Sequence, residues 1–151
     1  MHGLPREEQQ HAIAGMVVAG KVWHVGQLLD MGVAVETEGC LDDWIKGESN
    51  IHESLLHLAV RRGNCEMAEF LLQRGAPAEE LNENCELPLV MAVERENKDM
   101  IRLLMKYGAD PDNNDDEWGS AIDVAYGKPD ILQLLQTPQK PSGKNPDAPR
   151  L

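Results

Sequence analysis

Five histidines, three cysteines and one acidic run are the features of this 151-residue chain that could do chemistry. A zinc site needs four converging Cys or His ligands, or three and an open position. Cys40, His52 and Cys85 come nearest to such a set, but C-x11-H with one distant Cys fits no zinc pattern. Residues 110–117 (DPDNNDDE) carry the carboxylates of a calcium loop. Counted from Asp110, however, the position that needs Gly is Asp115 and the one that needs a bidentate Glu is Ala121. The run reads as a solvated acidic loop that can face a basic partner. The sequence contains no Gly-rich phosphate loop, H-E-x-x-H, G-x-S-x-G or paired C-x-x-C. Without a nucleophile–base pair it reads as a non-enzyme, with no metal and no cofactor.

Lys and Arg total 14 against 26 Asp and Glu, a net charge of −12. Nucleic acids and anionic membranes both demand a basic face, so neither is the expected partner. Apolar residues make up 42% of the chain, enough for a core in a single domain. With one Phe, two Tyr and three Trp, the interior must be filled by Leu, Val, Ala and Met, which suits helices. Three cysteines cannot build a full disulfide framework, and this points to a reducing compartment and a cytoplasmic location. The apolar stretch 12–20 is too short to span a bilayer, and Glu7 and Glu8 precede it where a signal peptide wants positive charge.

Positioning any of these residues falls to an internal repeat. Ala59, Val60, Met67, Phe70, Leu71 and Gly75 are matched 33 residues later by Ala92, Val93, Met100, Leu103, Leu104 and Gly108. Ser120 and Ala125 continue the register, and two residues are then missing before Ile131, Leu134 and Leu135 fall into line. Earlier, Gly20 and Gly32 have the same 12-residue separation as Gly63 and Gly75, with Val25, Leu28 and Leu29 between them. That first unit precedes the second by 43 residues, so ten extra residues lie within 33–53. Leu56, Ala59 and Val60, then Met67, Phe70 and Leu71, have helical spacing, and Arg62-Gly63-Asn64 separates them. Each unit is a helix, a turn and a helix, too small to bury its own apolar face, so neighbours must stack. Cys65 falls inside a helix as a small buried residue, and His24 falls on a second helix where a partly buried imidazole is expected. His52 and Cys85 take equivalent places in adjacent units, about 8–10 Å apart by helix packing, too far to share a metal. Within the insertion, Leu41, Trp44 and Ile45 at i, i+3, i+4 suggest a short helical turn.

A 33-residue helix–turn–helix with Ser54-Leu55-Leu56-His57-Leu58-Ala59 opening its first helix resembles the ankyrin-repeat family over residues 11–136. The resemblance implies an all-α solenoid with short loop fingers: a domain at 1–136 with units near 6–37, 49–81, 82–114 and 115–136. Residues 137–151, with four Pro and a charge of +2 from Lys140, Lys144 and Arg150 against Asp147, read as a disordered tail. In this family the opening motif is T-P-L-H, whose hydroxyl and imidazole tie a unit's turn to its own helix, and His57 takes that structural place. Leu87-Pro88-Leu89-Val90 and Ser120-Ala121-Ile122-Asp123 depart from it, and Glu96 stands where Gly63 stands, so modest stability and mobile ends are expected.

By the same resemblance the chain binds another protein through its concave face and loop tips, with the free protein a monomer. The tips are Asn50, Ile51 and Glu53, then Glu83, Asn84 and Glu86, then Asp116, Glu117 and Trp118. The ends of the first helices give Arg61, Arg62, Glu94 and Arg95. Trp44 and Trp118 are candidate interface anchors, because Trp is enriched at hot spots. The acidic surface with a central arginine patch suits a partner with a basic surface and a small acidic spot. An alternative is a dedicated inhibitor of one enzyme, such as an immunity protein that occludes a secreted bacterial toxin.

Overall fold

Apolar residues at three- and four-residue spacing, punctuated by Gly and Asn, close each unit into two short antiparallel helices. The computed structural model describes residues 6–32, 38–41, 51–82, 84–113 and 119–137, with residues 6–11, 38–41 and 51–53 described by their backbone alone. The first pair is α1 (Arg6–Val18) and α2 (Val22–Asp30), followed by strands β1 (Glu38–Leu41) and β2 (Ile51–Ser54). The second pair is α3 (Leu55–Arg62) and α4 (Cys65–Gln73), the third α5 (Pro88–Glu94) and α6 (Lys98–Lys106), and the fourth α7 (Ala121–Val124) and α8 (Pro129–Gln136). First helices pack in the order α1, α3, α5, α7 and second helices in the order α2, α4, α6, α8. The result is the expected all-α solenoid, with its core between the two rows.

That core holds the residues that recur in register. Met67, Met100 and Ile131 are buried, as are Leu71, Leu104 and Leu135. Ion pairs join successive units along the second helices: Arg74 with Asp30, Lys106 with Glu69 (3.3 Å) and Lys98 with Asp130 (3.3 Å). Exposed pairs of this kind contribute about 0–1 kcal/mol each and help fix the register of the stack.

The turns within the units explain the spacing of Asn. The Asn64 and Asn97 side chains cap α4 and α6, accepting from the backbone N–H of Met67 (3.0 Å) and Met100 (3.1 Å). One residue earlier the chain passes through the left-handed region, at Gly63 (φ 68°) and at Glu96 (φ 55°). For a side-chain-bearing residue that conformation costs about 1–2 kcal/mol. The Glu96 ion pair with Lys128 (3.2 Å) is partly exposed and offsets little of it. Glu96→Gly is therefore expected to raise stability by about 0.5–1 kcal/mol in urea unfolding, less than the strain because glycine also gains freedom in the unfolded chain.

The eroded opening motifs are repaired in ways the family pattern did not suggest. In the fourth pair the Ser120 hydroxyl accepts from the Asp123 N–H (3.2 Å), while the Asp123 carboxylate accepts from the Ser120 hydroxyl (2.8 Å) and N–H (3.0 Å). This reciprocal cap holds the Asp123 carboxyl below the usual carboxylate range. In the third pair Pro88 opens α5 at a position that needs no donor, and Val90, in the place of His57, is buried.

Of the three residues expected to share a helical turn, Leu41 is described, by its backbone. Leu41 ends a strand: β1 and β2 pair antiparallel, with Glu38 opposite Ser54 and Leu41 opposite Ile51. β1 also lies against α1, so the first helix supports this ribbon. Trp44 and Ile45 lie outside the described residues.

Candidate partner-binding surface

The fingers between the pairs are built on side-chain to backbone hydrogen bonds. His57 is fully buried. Its Nε2 donates to the Glu86 carbonyl (3.2 Å), which can only accept, and in the neutral ring Nδ1 then accepts from the Ser54 hydroxyl (2.6 Å). The Ser54 oxygen also accepts from the His57 N–H (3.4 Å). The imidazole thus ties its own helix cap to the next finger, a longer reach than the local network the sequence implied.

Asn82 organises that next finger, and sequence reasoning missed it. Its Oδ1 accepts from the N–H of Asn84 (3.0 Å) and Glu86 (2.9 Å), and its Nδ2 donates to the Glu86 carboxylate (2.9 Å). Cys85 sits at φ 55° in this loop and donates its N–H to the Asn82 carbonyl (3.0 Å). The following finger turns at Asp110, whose Oδ1 accepts from the Asp112 N–H (2.9 Å). Glu79 joins the two fingers by accepting from the Asp110 N–H (2.9 Å) and the Asn113 amide (3.2 Å). Glu79, Glu80, Asp110 and Asp112 are exposed, so this linked pair of fingers presents a fixed acidic surface.

Predicted site residues divide between the two ends of the first helices. Asn84 is exposed on the finger, and Glu86 is half-buried with its carboxylate and backbone used in the loop. At the far end, Arg62, Glu94 and Arg95 are exposed and Arg61 is half-buried. Asn84 and Arg95 lie beyond opposite ends of α5, whose seven residues span about 10 Å. Ile51 and Glu53 belong to β2, with side chains outside the description. Trp44, Asn50, Glu83, Asp116, Glu117 and Trp118 lie outside the described residues, as do residues 138–151 of the tail.

His24 is exposed rather than partly buried. Its register mates Met67 and Met100 are fully buried. The ring meets Trp23 edge to face at 5.0 Å, and Trp23 is itself 66% exposed. The register could have found this, since Trp23 aligns with the exposed Glu66 and Asp99. Cys65 opens α4 half-buried, and burial together with the charge of Asp99 pushes its thiol pKa up. Cys65 and Cys85 are free thiols. Cys40 stands opposite His52 in the ribbon. Among the described residues no cluster of three His, Cys, Asp or Glu could hold a metal, and no helix is long and apolar enough to cross a membrane.

Comparison with known proteins agrees with this architecture. A family model for ankyrin repeats in three copies matches residues 31–115 and 56–147. An ankyrin repeat-containing protein of Treponema pallidum (strain Nichols) is 37% identical over 84 residues, covering 54% of this chain and 28% of that protein. An ankyrin repeat protein of fowlpox virus (strain NVSL) is 38% identical over 90 residues, 53% of this chain and 20% of its own length. Ankyrin repeat domain-containing protein 40 of Mus musculus is 28% identical over 93 residues, 62% of this chain and 23% of its own length. The chain thus spans less than a third of the length of these relatives. Two rows of stacked helices, a 33-residue register and a family match over most of the sequence lead to one conclusion: the chain belongs to the ankyrin-repeat family.

Proposed function

We propose that this chain is a non-catalytic module that binds one partner protein through its fingers and the exposed ends of its first helices. Ankyrin repeats are protein–protein interaction modules, which supports the general reading. The observation that carries the finer one is the pre-built acidic finger pair, in which Asn82 and Glu79 hold the loops in place while neighbouring carboxylates face solvent. Loops already ordered before binding lose little entropy on docking. The partner has a basic surface that meets Glu79, Glu80, Asp110 and Asp112, with a small acidic spot that meets Arg62 and Arg95. Charge complementarity of this kind speeds association and fixes register more than it adds affinity.

The net charge of −12 also favours a second reading, a dedicated inhibitor that occludes one basic enzyme, such as an immunity protein against a secreted bacterial toxin. One-to-one nanomolar binding that weakens with salt and abolishes turnover by the partner is the expected result for an inhibitor. Several weaker partners with undiminished activity are expected for an adaptor.

Affinity purification with the intact chain as bait, repeated with Asn84→Ala/Glu94→Ala/Arg95→Ala, tests the surface. A principal bound protein that is depleted by the triple variant is expected, and undiminished capture would contradict the assignment. Trp44→Ala and Trp118→Ala are expected to leave helicity intact, and at least one should weaken that complex by about 2 kcal/mol, the range of a hot spot. Calorimetry that finds no loss for either would remove both anchors.

A further inference from the structure

A hollow of about 400 Å³ lies at the root of the finger pair. Four of the residues that line it, Pro77, Ala78, Glu79 and Glu80, stand where the chain leaves α4 for its finger. The other two, Tyr107 and Gly108, stand at the end of α6. The hollow is open to solvent, so it suits a side chain presented by another surface rather than an enclosed small molecule.

Its lining sets the chemistry of what fits. Pro77, Ala78 and the half-buried Tyr107 ring offer apolar surface for the stem of a long side chain. The ring already receives a cation: the Lys106 Nζ lies 5.6 Å from its centre. Lys106 itself is drawn to Glu69 of α4 (3.3 Å) and does not line the hollow. An aromatic is no demand of the repeat here, since Arg74 holds the same place 33 residues earlier. The charge around the hollow is negative. Both hydrogen bonds that Glu79 accepts from the next finger end on its Oε1, and among the described residues Oε2 has no partner. Those bonds hold the Glu79 carboxylate in place, and Glu80 adds a second one beside it. α6 also ends at this hollow, and the partial negative charge of its last carbonyls favours a cation there.

We propose that the hollow receives one arginine side chain of the partner protein. Its stem lies against Pro77 and Tyr107, and its guanidinium pairs with the Glu79 and Glu80 carboxylates. A planar fork stacks on an aromatic ring and meets two carboxylates at once, which the point charge of lysine does less well. This site rests on the partner-binding reading of the fingers and deepens it, turning a general basic surface into one anchor of a type enriched at hot spots.

Amide NMR shifts of the intact chain, titrated with the peptide acetyl-Gly-Arg-Gly-amide, are the test, with the lysine and citrulline peptides as controls. Saturable shifts centred on Ala78, Glu79, Glu80 and Gly108 are expected for arginine, at least about threefold weaker binding for lysine, and none for citrulline. Glu79→Gln removes the charge and keeps the Oε1 acceptor that ties the fingers, so the fold stays, which circular dichroism verifies. It should weaken the arginine peptide at least about fivefold. Tyr107→Leu, which keeps an apolar wall, should weaken it as well, and Glu66→Gln, at the exposed start of α4, should not. Unsaturable shifts spread over the acidic surface, an equal response to lysine or citrulline, or no effect of Glu79→Gln would overturn the proposal. The peptide reads the hollow alone. Its failure with capture still depleted by Asn84→Ala/Glu94→Ala/Arg95→Ala removes the anchor and leaves the finger surface, whereas undiminished capture removes that surface and the anchor with it.

Discussion

Replacing Leu71 with alanine is expected to destabilise the protein by about 2–5 kcal/mol, the range for a buried aliphatic side chain whose surroundings relax only partly. Leu71 is fully buried in α4, and α4 packs against α3 in its own unit and against α2 and α6 on either side. Losing its side chain therefore weakens one unit and the interfaces on both sides of it. In a stack held by nearest-neighbour terms, a defect in the middle also uncouples the ends from each other. Chemical unfolding followed by circular dichroism should show a lower midpoint and a broader transition. A shift within about 0.5 kcal/mol is what an exposed position gives, and it would contradict the packing described here.

His57→Ala is expected to cost about 3 kcal/mol, from a cavity in the core and the loss of two hydrogen-bonding roles that the ring fills at once. Removing the imidazole takes the Nε2 donor from the Glu86 carbonyl and the Nδ1 acceptor from the Ser54 hydroxyl. The damage should be local as well as global. The Glu86 carbonyl belongs to the loop that Asn82 organises, so amide exchange at Asn84 and Glu86 should accelerate more than exchange in α8. A loss of stability with no preferential change in that finger would mean that His57 only fills space.

These residues also show how far the sequence could be read. The helix pairs were legible because each unit repeats one apolar pattern at a constant offset, and stacking buries that pattern identically from unit to unit. Gly75 and Gly108 follow α4 and α6 at φ 98° and 99°, the left-handed positions that their spacing predicted. Local reasoning failed where a residue is satisfied by a distant partner. His57 bonds to a carbonyl 29 residues away, and Glu79 accepts from residues more than 30 positions later. It also failed at His24, which takes the register position that Met67 and Met100 bury in later units and is itself exposed. At Leu41 the helical spacing with Ile45 misled, because the strand pairing found there depends on residues ten or more positions away. The exposed surface was only partly legible. Asn84 and Arg95 were both named, but the sequence alone did not place them beyond opposite ends of one short helix.

The most direct test of the account is site-specific photo-crosslinking in cells. A photoreactive residue is placed in turn at Asn84, at Arg95, and at Arg102 on the outer row of helices, all three of them exposed. Covalent capture of the same second protein from Asn84 and Arg95, with none from Arg102, is the predicted result. Capture from Arg102 alone, or equal capture from all three positions, would contradict the claim that the fingers and first-helix ends grip the partner.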